Sequence, residues 1–578
     1  MDKLQIASAL DEMADFLELT EDNPFRARSF RSGARILETL QEDLGKLVES
    51  GRLKEIKGIG PALEEIIVQF VREGASRRYE ELKAKVPPGL LQMIRISGLG
   101  PKRVRVLHKA LGLADLEALE KACKEGAVAG VTGFGEKLQA KILAGIATLQ
   151  SAAGLFLSIE GLEAALPLLR NIRSDPAVIR ADLAGSLRRR NEIVRDIDIV
   201  ASSASARQVI DRFVEASGAA EVIARGDTKA SVRLGGGIQA DLRVVDDAAY
   251  PFALLYFTGS KEHNTALRGR AKERGFKLNE YGLFRVAAEG DGSDGLSCGD
   301  EAAVFRALGL DWIPPELRED RGEIALAEAG ALPVLVEAKD LQGVVHVHTT
   351  ASDGHNTLPE LVGAAQGLGY SYLAISDHSQ SAGYAGGLKE DRIREQHWEV
   401  DQLNKRLRDF RIFKGIESDI RTDGSLDYPP EILDLFDFVI ASVHSSFQLS
   451  EEEQTARILR AMSDPHCTIL GHPTGRLLRA RDGYRIDLEK VLRAAGDLGV
   501  IVETNANPHR LDLDWRWGAL AREAGVKTCI SPDAHALGDM GYMDLGVGTA
   551  RKAGFSAADV VNTYPAEAFW KAIRIRRK

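Results

Sequence analysis

Three carboxylates in the first half of the chain are spaced so that they could hold divalent cations. In Asp196-Ile197-Asp198, a strand would put both acids on one face and Ile197 and Ile199 on the other. Asp241, in Ala240-Asp241-Leu242, alternates in the same way. If these strands are neighbours, three carboxylates converge. Such a cluster is hard to tolerate without cations and suits two divalent ions, which would activate a hydroxyl and neutralise a triphosphate during an in-line displacement. Alone, D-x-D equally describes a solvated strand face. Gly185-Ser186 and Arg188-Arg189 just before it change the balance, because arginine suits phosphate.

A second constellation lies later. Ten of the twelve histidines follow residue 340. His346-Val347-His348 is followed by Asp353, Asp377-His378, Gly415-Ile416-Glu417, Ser442-Val443-His444, Gly471-His472-Pro473 and Asp533-Ala534-His535. Nearly every one follows an apolar run, so in a βα barrel they would rise at one rim. The candidate ligands are His346, His348, Asp353, His378, Glu417, His444, His472, Asp533 and His535. Six histidines and three acids in one pocket form a multinuclear site for zinc, manganese or iron. His355, His397, His466 and His509 lack the pattern and read as structural.

The elements that must carry these groups follow from periodicity. Residues 1 to about 150 read as short amphipathic helices. Within them one pattern recurs: Ile56-Lys57-Gly58-Ile59-Gly60-Pro61, Ile96-Ser97-Gly98-Leu99-Gly100-Pro101 and Val131-Thr132-Gly133-Phe134-Gly135-Glu136. A single copy would be an ordinary turn between helices. Three copies point to tight turns whose amides, at helix starts, hold phosphates without reading bases. From about 155 to 317 the pattern becomes mixed α and β, with strands expected over 179–183, 197–201, 230–234 and 238–245, the last two joined by Gly235-Gly236-Gly237. Residues 318–340 show no clear packing pattern and read as a linker. Beyond them, strands ending near His348, Asp377, Glu417, His444, His472, Thr504 and Asp533 alternate with helices, which predicts a parallel barrel.

These motifs resemble known families. The three glycine turns resemble helix-hairpin-helix motifs, which would place Gly58, Gly60, Gly98, Gly100, Lys102, Gly133 and Gly135 against DNA. Gly-Ser-x-Arg-Arg followed by D-x-D resembles the nucleotidyltransferase signature. With Tyr256-Phe257-Thr258-Gly259-Ser260, Asn264, Arg268 and Asn279-Glu280-Tyr281, residues 1–317 resemble the family X DNA polymerases, of which DNA polymerase beta is the familiar member. The resemblance implies that Asp196 and Asp198 bind two ions, Mg²⁺ or Mn²⁺, and Asp241 the catalytic one. It gives Gly185, Ser186 and Arg189 to the triphosphate, and Tyr256, Phe257 and Gly259 to the sugar pocket. Asn264 would touch the incoming base and Arg268 the template strand. Two departures stand out. Ile66 occupies the position of the lysine with which the vertebrate member forms a Schiff base, so lyase activity by that route is not expected. Val194 and Arg195 replace small residues before the D-x-D. Residues 341 to about 570 resemble the polymerase-and-histidinol-phosphatase (PHP) domain, with all nine ligand positions filled. That implies three ions, Zn²⁺ and/or Mn²⁺, and phosphoester hydrolysis at DNA 3′-ends: exonuclease, with 3′-phosphatase and abasic-site endonuclease as further activities.

The expected architecture is therefore multidomain. It comprises a helical DNA-binding domain (1–80), a second helical hairpin domain (81–154), a nucleotidyltransferase palm (155–250), a nucleotide-selection thumb (251–317), the linker (318–340), and a distorted (β/α)7 PHP barrel (341–578). The net charge of −10 argues weakly against nucleic acid, but basic clusters at Arg26–Arg35, Lys102–Lys109, Arg188–Arg190 and Arg268–Arg274 leave local DNA-binding faces. The four scattered cysteines predict reduced, mostly buried thiols. No apolar run is long enough to span a bilayer, and a cytoplasmic location is expected. Expected partners are gapped or nicked DNA and deoxynucleotides, with other repair proteins as candidates. Two other functions fit less of the sequence: a small-molecule phosphatase carrying a relic polymerase core, and a non-catalytic scaffold for DNA ends. Neither explains two complete sets of metal-binding side chains.

Overall fold

The computed structural model describes residues 3–20, 24–40, 44–94, 96, 98–151, 154–286 and 295–574, and divides into two compact units, 1–153 and 154–578. Ser97 lies outside the described residues. The expected palm, thumb and barrel thus share one unit.

The first unit is helical, with no strand among its described residues. Its core runs from Leu10, Met13 and Leu17 on the first helix (Lys3–Thr20) through Ile67, Val104 and Leu107 to Leu119 and Ile142. The three glycine turns are copies of one another. In each, the apolar residue between the glycines is buried and its amide donates to the carbonyl three residues back: Ile59 to Ile56 (3.1 Å), Leu99 to Ile96 (2.8 Å) and Phe134 to Val131 (3.0 Å). The glycine before it has a left-handed φ, +101° at Gly58, +92° at Gly98 and +89° at Gly133, a conformation that favours glycine. The helices Pro61–Glu73, Pro101–Leu111 and Glu136–Ser151 start directly after.

The second unit opens with a five-stranded sheet in the order Arg180–Leu183, Asp196–Ser202, Gln239–Val245, Lys229–Arg233, Glu221–Arg225. Four of these are the expected strands to within one residue. The fifth, Glu221–Arg225, was not foreseen, because it is an exposed edge strand whose residues do not alternate in burial. Ile197, Ile199, Ala240, Leu242 and Val244 form one core with Leu169, Val209 and Phe213 of the helices Ser158–Ser174 and Ala206–Ala216. The opposite face is covered at one end by the helix Tyr250–Thr258, through Val200, Tyr250 and Leu254. The carboxylates occupy this same face, one and two pleats before Val200.

Seven parallel strands follow in sequence order, from Gly343–Val347 to Thr528–Ser531. A parallel bridge between Val347 and Ala534, with His348 N donating to Ala534 O (2.9 Å), closes the ring. The strand ends fall within two residues of their expected places. Val345, Tyr372, Phe413, Phe438, Ile501 and Cys529 pack together with Phe569 and Ile573 of the last helix (Ala566–Arg574). The four cysteines are free and buried. No described helix is long and apolar enough to cross a membrane.

The segment expected to be a linker is packed. Ala327 joins the thumb core and Val336 the barrel core. Its first residue, Arg318, is fully buried, and donates to Glu301 Oε1 (2.8 Å) and Ile313 O (2.9 Å). Glu301 also takes both ends of Arg188 (2.9 and 2.6 Å). Glu323 pairs with the buried His263 (2.6 Å). The segment is anchored mainly by polar groups whose partners are remote in sequence, which periodicity does not register. Burial would raise the Glu301 carboxyl, but Arg318 and Arg188 hold it down to about 2. Removing one partner from such a network leaves uncompensated charge. Glu301→Gln is therefore expected to destabilise the second unit by about 3–5 kcal/mol, measured as a lower denaturant midpoint in the full chain.

Candidate functional sites

Parallel pairing sets Asp198 directly across from Asp241, with Asp196 two residues earlier on the same face. Neighbouring strands lie about 4.8 Å apart, so the carboxylates are forced together. Burial, with Asp196 and Asp241 beside it, pushes the Asp198 carboxyl up to about 7. Asp196 is raised by burial and by Asp241. Lys229 Nζ, 3.5 Å from Asp241 Oδ2, is a nearby countercharge. The short helix Gly185–Arg188 presses onto this cluster: a Cβ on Gly185, whose φ is +59°, would stand 2.2 Å from Asp198 Oδ2. Asp198, Lys229, Asp241, Arg243 and Phe257 line one cleft. Three carboxylates brought together by register, with Asp196 and Asp198 raised by burial and mutual repulsion, are a donor set suited to cations.

Ser186 is half-buried on the same short helix. Arg189 donates to Thr258 O (2.5 Å) and Glu319 (3.0 Å), beside Gly259, where a Cβ would lie 3.1 Å from its guanidinium. Tyr256, Asn264 and Arg268 line a second pocket with Phe252, Leu255, Leu278 and Asn279. Asn264 Nδ2 donates to Tyr256 O (2.7 Å), and Arg268 is exposed. Asn279 Oδ1 accepts from the Tyr281 and Gly282 amides (2.9 and 3.1 Å), closing a hairpin. Val194 packs in the sheet core, and Arg195 is exposed. Ile66 is buried in the first unit's core.

At the barrel rim the nine expected ligands come together. Three groups have ligand atoms within 4.8 Å of one another: His348, Asp353, His378 and His535; His346, His348 and Asp533; and His378, Glu417 and His444. His472 joins through Nε2, 3.0 Å from Glu417 Oε1 and 3.3 Å from His444 Nε2. Glu417 is central, with His346, His348, His378, His444 and His472 all within 3.8 Å of its oxygens. Burial alone would raise its carboxyl, but His444, His346 and His378 hold it well below the usual range. The fit to cations is tested by atoms that have no other use. His346 Nε2, both nitrogens of His348, His378 Nδ1, Glu417 Oε2 and His472 Nδ1 are buried without hydrogen-bond partners. Unsatisfied buried groups are rare and call for an explanation, and ions at the centre of this cluster would use all of these lone pairs except that of His472 Nδ1, since His472 turns its Nε2 to the cluster. His346, His472 and Asp533 also have left-handed φ values of 63°, 23° and 53°, backbone strain that clusters at functional sites. His355, His397, His466 and His509 belong to none of the three groups.

Sequence reasoning missed the outer layer. Glu503 accepts from His346 Nδ1 (2.5 Å), the His472 amide (2.6 Å) and Ser531 (2.5 Å). Asp419 holds His444 Nδ1 (2.5 Å). Asp377, which precedes a ligand without joining the set, accepts from Thr349, Ser352 and Gln396. The available signal was an acid inside an apolar barrel strand, as in Ile501-Val502-Glu503.

In the first unit, Gly60 and Gly100 have ordinary φ, and a Cβ on either would meet nothing within 4 Å. The fold itself does not require glycine there, whereas close approach of a ligand backbone would. Lys102 and Arg103 are exposed beside Gly100. The third turn places Glu136 at its helix start, which disfavours phosphate.

A helical hairpin unit, a carboxylate-bearing sheet with its thumb, and a metal-type barrel define a nucleotidyltransferase joined to a PHP domain. Residues 253–319 match the DNA polymerase beta thumb, 345–507 the PHP domain, 1–76 a helix-hairpin-helix domain and 90–148 a SAM-like helix-hairpin-helix tandem. The chain is 36% identical over 564 residues to the DNA polymerase/3′-5′ exonuclease PolX of Bacillus subtilis (strain 168), covering 97% of both chains. A probable phosphatase of Thermoanaerobacter sp. (strain X514) is 31% identical over 236 residues, 38% of this chain and 89% of that protein. A probable phosphatase of Clostridium acetobutylicum is 28% identical over 214 residues, 35% and 81% respectively. The chain belongs to the family X DNA polymerases that carry a C-terminal PHP domain.

Two outcomes follow from these geometries. Glu503→Gln should lower metal affinity at the barrel by about 10–100-fold, as expected for an outer-layer partner, read by chelator competition and elemental analysis. Gly100→Val should fold normally yet weaken binding to duplexes of every sequence with little change in salt dependence. Lys102→Ala should instead lessen the log–log salt slope by about 0.9. Titration at several salt concentrations separates the two, and full affinity in Gly100→Val would make the turn structural only.

Proposed function

We propose that the chain is a gap-filling DNA-directed DNA polymerase that also hydrolyses DNA phosphoesters in its barrel, as a 3′-5′ exonuclease with 3′-phosphatase and abasic-site endonuclease as further activities. The observation that carries this reading is the register of Asp198 against Asp241, beside a helix pressed so close that Gly185 has no room for a side chain. Asp196, Asp198 and Asp241 would hold Mg²⁺ or Mn²⁺, which supplies charge neutralisation for the triphosphate and acidifies the attacking 3′-hydroxyl. The remaining work falls to the chain. Ser186 and Arg189 bind the triphosphate, Tyr256, Phe257 and Gly259 shape the sugar pocket, and Asn264 and Arg268 position the base and template. Gly58, Gly60, Gly98, Gly100 and Lys102 hold gapped or nicked DNA by its backbone, with Gly133 and Gly135 a weaker site. At the barrel, His346, His348, Asp353, His378, Glu417, His444, His472, Asp533 and His535 would hold Zn²⁺ or Mn²⁺ ions, which polarise a phosphate and supply a nucleophile near neutral pH. Glu503 and Asp419 fix the orientation of His346 and His444. The filled carboxylate and ligand sets support two working centres, and the chain's composition fits a cytoplasmic enzyme.

A gapped duplex incubated with and without deoxynucleotides, in Mg²⁺ or Mn²⁺, tests the reading. Asp198→Ala should abolish nucleotide addition and leave hydrolysis intact. His346→Ala or Asp533→Ala should remove metal and hydrolysis while addition survives. Loss of both activities in either folded variant would show that the centres are not independent. Hydrolysis of small phosphate esters but not of DNA would point to a phosphatase with a relic polymerase core.

A further inference from the structure

The Arg189 guanidinium does not stand alone at the polymerase cleft. Its Nε donates to Glu319 Oε1 (3.0 Å), and that same oxygen accepts from Lys552 Nζ, at the end of the barrel helix Met543–Lys552. Lys552 also reaches the Arg189 carbonyl (3.1 Å) and lies 4.4 Å from the Trp515 ring. Its side chain is fully buried. Next to it, Arg551 binds Glu316 (2.7 Å) and Arg190 binds Asp544 (2.9 Å). One barrel helix, through Asp544 in its first turn and Arg551 and Lys552 in its last, therefore grips both stretches of chain that frame Arg189.

Charge explains why a lysine there matters to the nucleotide. Glu319 orients Arg189 by one edge, but an acid so placed also cancels the field that a triphosphate would feel. With Lys552 sharing the carboxylate, the trio keeps a net charge of +1, and the carboxylate is fixed from the far side. We infer that Lys552 of the PHP barrel is a positioning residue of the polymerase centre, holding Glu319 so that Arg189 stays oriented and electrostatically available to the triphosphate. The inference rests on the reading of Arg189 as a triphosphate ligand, and goes beyond it by making the barrel part of the nucleotide site. Burial holds Lys552 down to about 8 despite Glu319, which agrees with a charge retained at a real cost.

The test uses the full chain and single-nucleotide addition on a gapped duplex, with separate KM values for nucleotide and DNA. Lys552→Met should raise the nucleotide KM about tenfold, a size usual for coupled charged neighbours, with the DNA KM, barrel hydrolysis and metal content unchanged. Lys552→Arg should recover most of the loss. If Lys552→Met does not fold, the more conservative Lys552→Gln, which removes the charge but can still donate to the Arg189 carbonyl, should raise the nucleotide KM several-fold with the same selectivity. A nucleotide KM within about twofold of wild type in the folded variant, while Arg189→Ala raises it, overturns the inference. Equal losses in nucleotide binding, DNA binding and hydrolysis overturn it too, since that is the signature of a purely structural joint. If Arg189→Ala itself leaves the nucleotide KM unchanged, the triphosphate reading of Arg189 is what fails, and the inference falls with it.

Discussion

Carboxylates that face one another repel, and burial strengthens the repulsion because less water screens it. Both centres are organised around that constraint. In the sheet, hydrogen-bonded register leaves Asp198 no way to move away from Asp241, and the short helix at Gly185 closes over it. In the barrel, Glu417 is surrounded by imidazoles, yet several of their nitrogens still lack partners. The fold is rigid where the charge is concentrated, on strands and strand ends, which keeps donor atoms in place before any cation arrives.

The two centres are also joined. Beyond Arg189, Glu319 and Lys552, the carboxylate of Glu192 receives Arg476 (3.3 Å), Arg516 (3.1 Å) and the Trp515 indole (3.2 Å), while Arg479 reaches Glu160 (2.7 Å). The acids come from the sheet side and the arginines from the barrel. The centre of this joint is desolvated at Glu192 and Arg476, so loss of either partner there leaves a buried charge. The segment without apolar periodicity is likewise packed through charged groups, with Arg318 and Glu323 as its anchors.

The first unit works by a different principle. Its turns bury one apolar residue each, and Gly60 and Gly100 stand open at helix starts, the latter with exposed Lys102 and Arg103 beside it. Helix-start amides of this kind suit phosphates rather than base edges.

Much was legible from the chain alone, because local periodicity carries it. Alternation at Asp196–Ile199 and Ala240–Leu242 set the carboxylates on one face, and repeated apolar runs ending in His or acid placed nine ligands at one rim. The first pattern follows from the two-residue period of a strand and the second from apolar strands repeatedly alternating with helices, so neither needed knowledge of particular side-chain partners. What only the tertiary structure decided are pairings between remote residues. These include the register of Asp198 on Asp241, the outer-layer acids Glu503 and Asp419, and the attachment of residues 318–340. The same holds for the link from Lys552 through Glu319 to Arg189. Each depends on which side chains meet across separations of tens to hundreds of residues, 25 for Asp419 and His444 and 233 for Lys552 and Glu319. Charged groups take partners by geometry rather than by spacing, so their roles became visible only once the chain had folded.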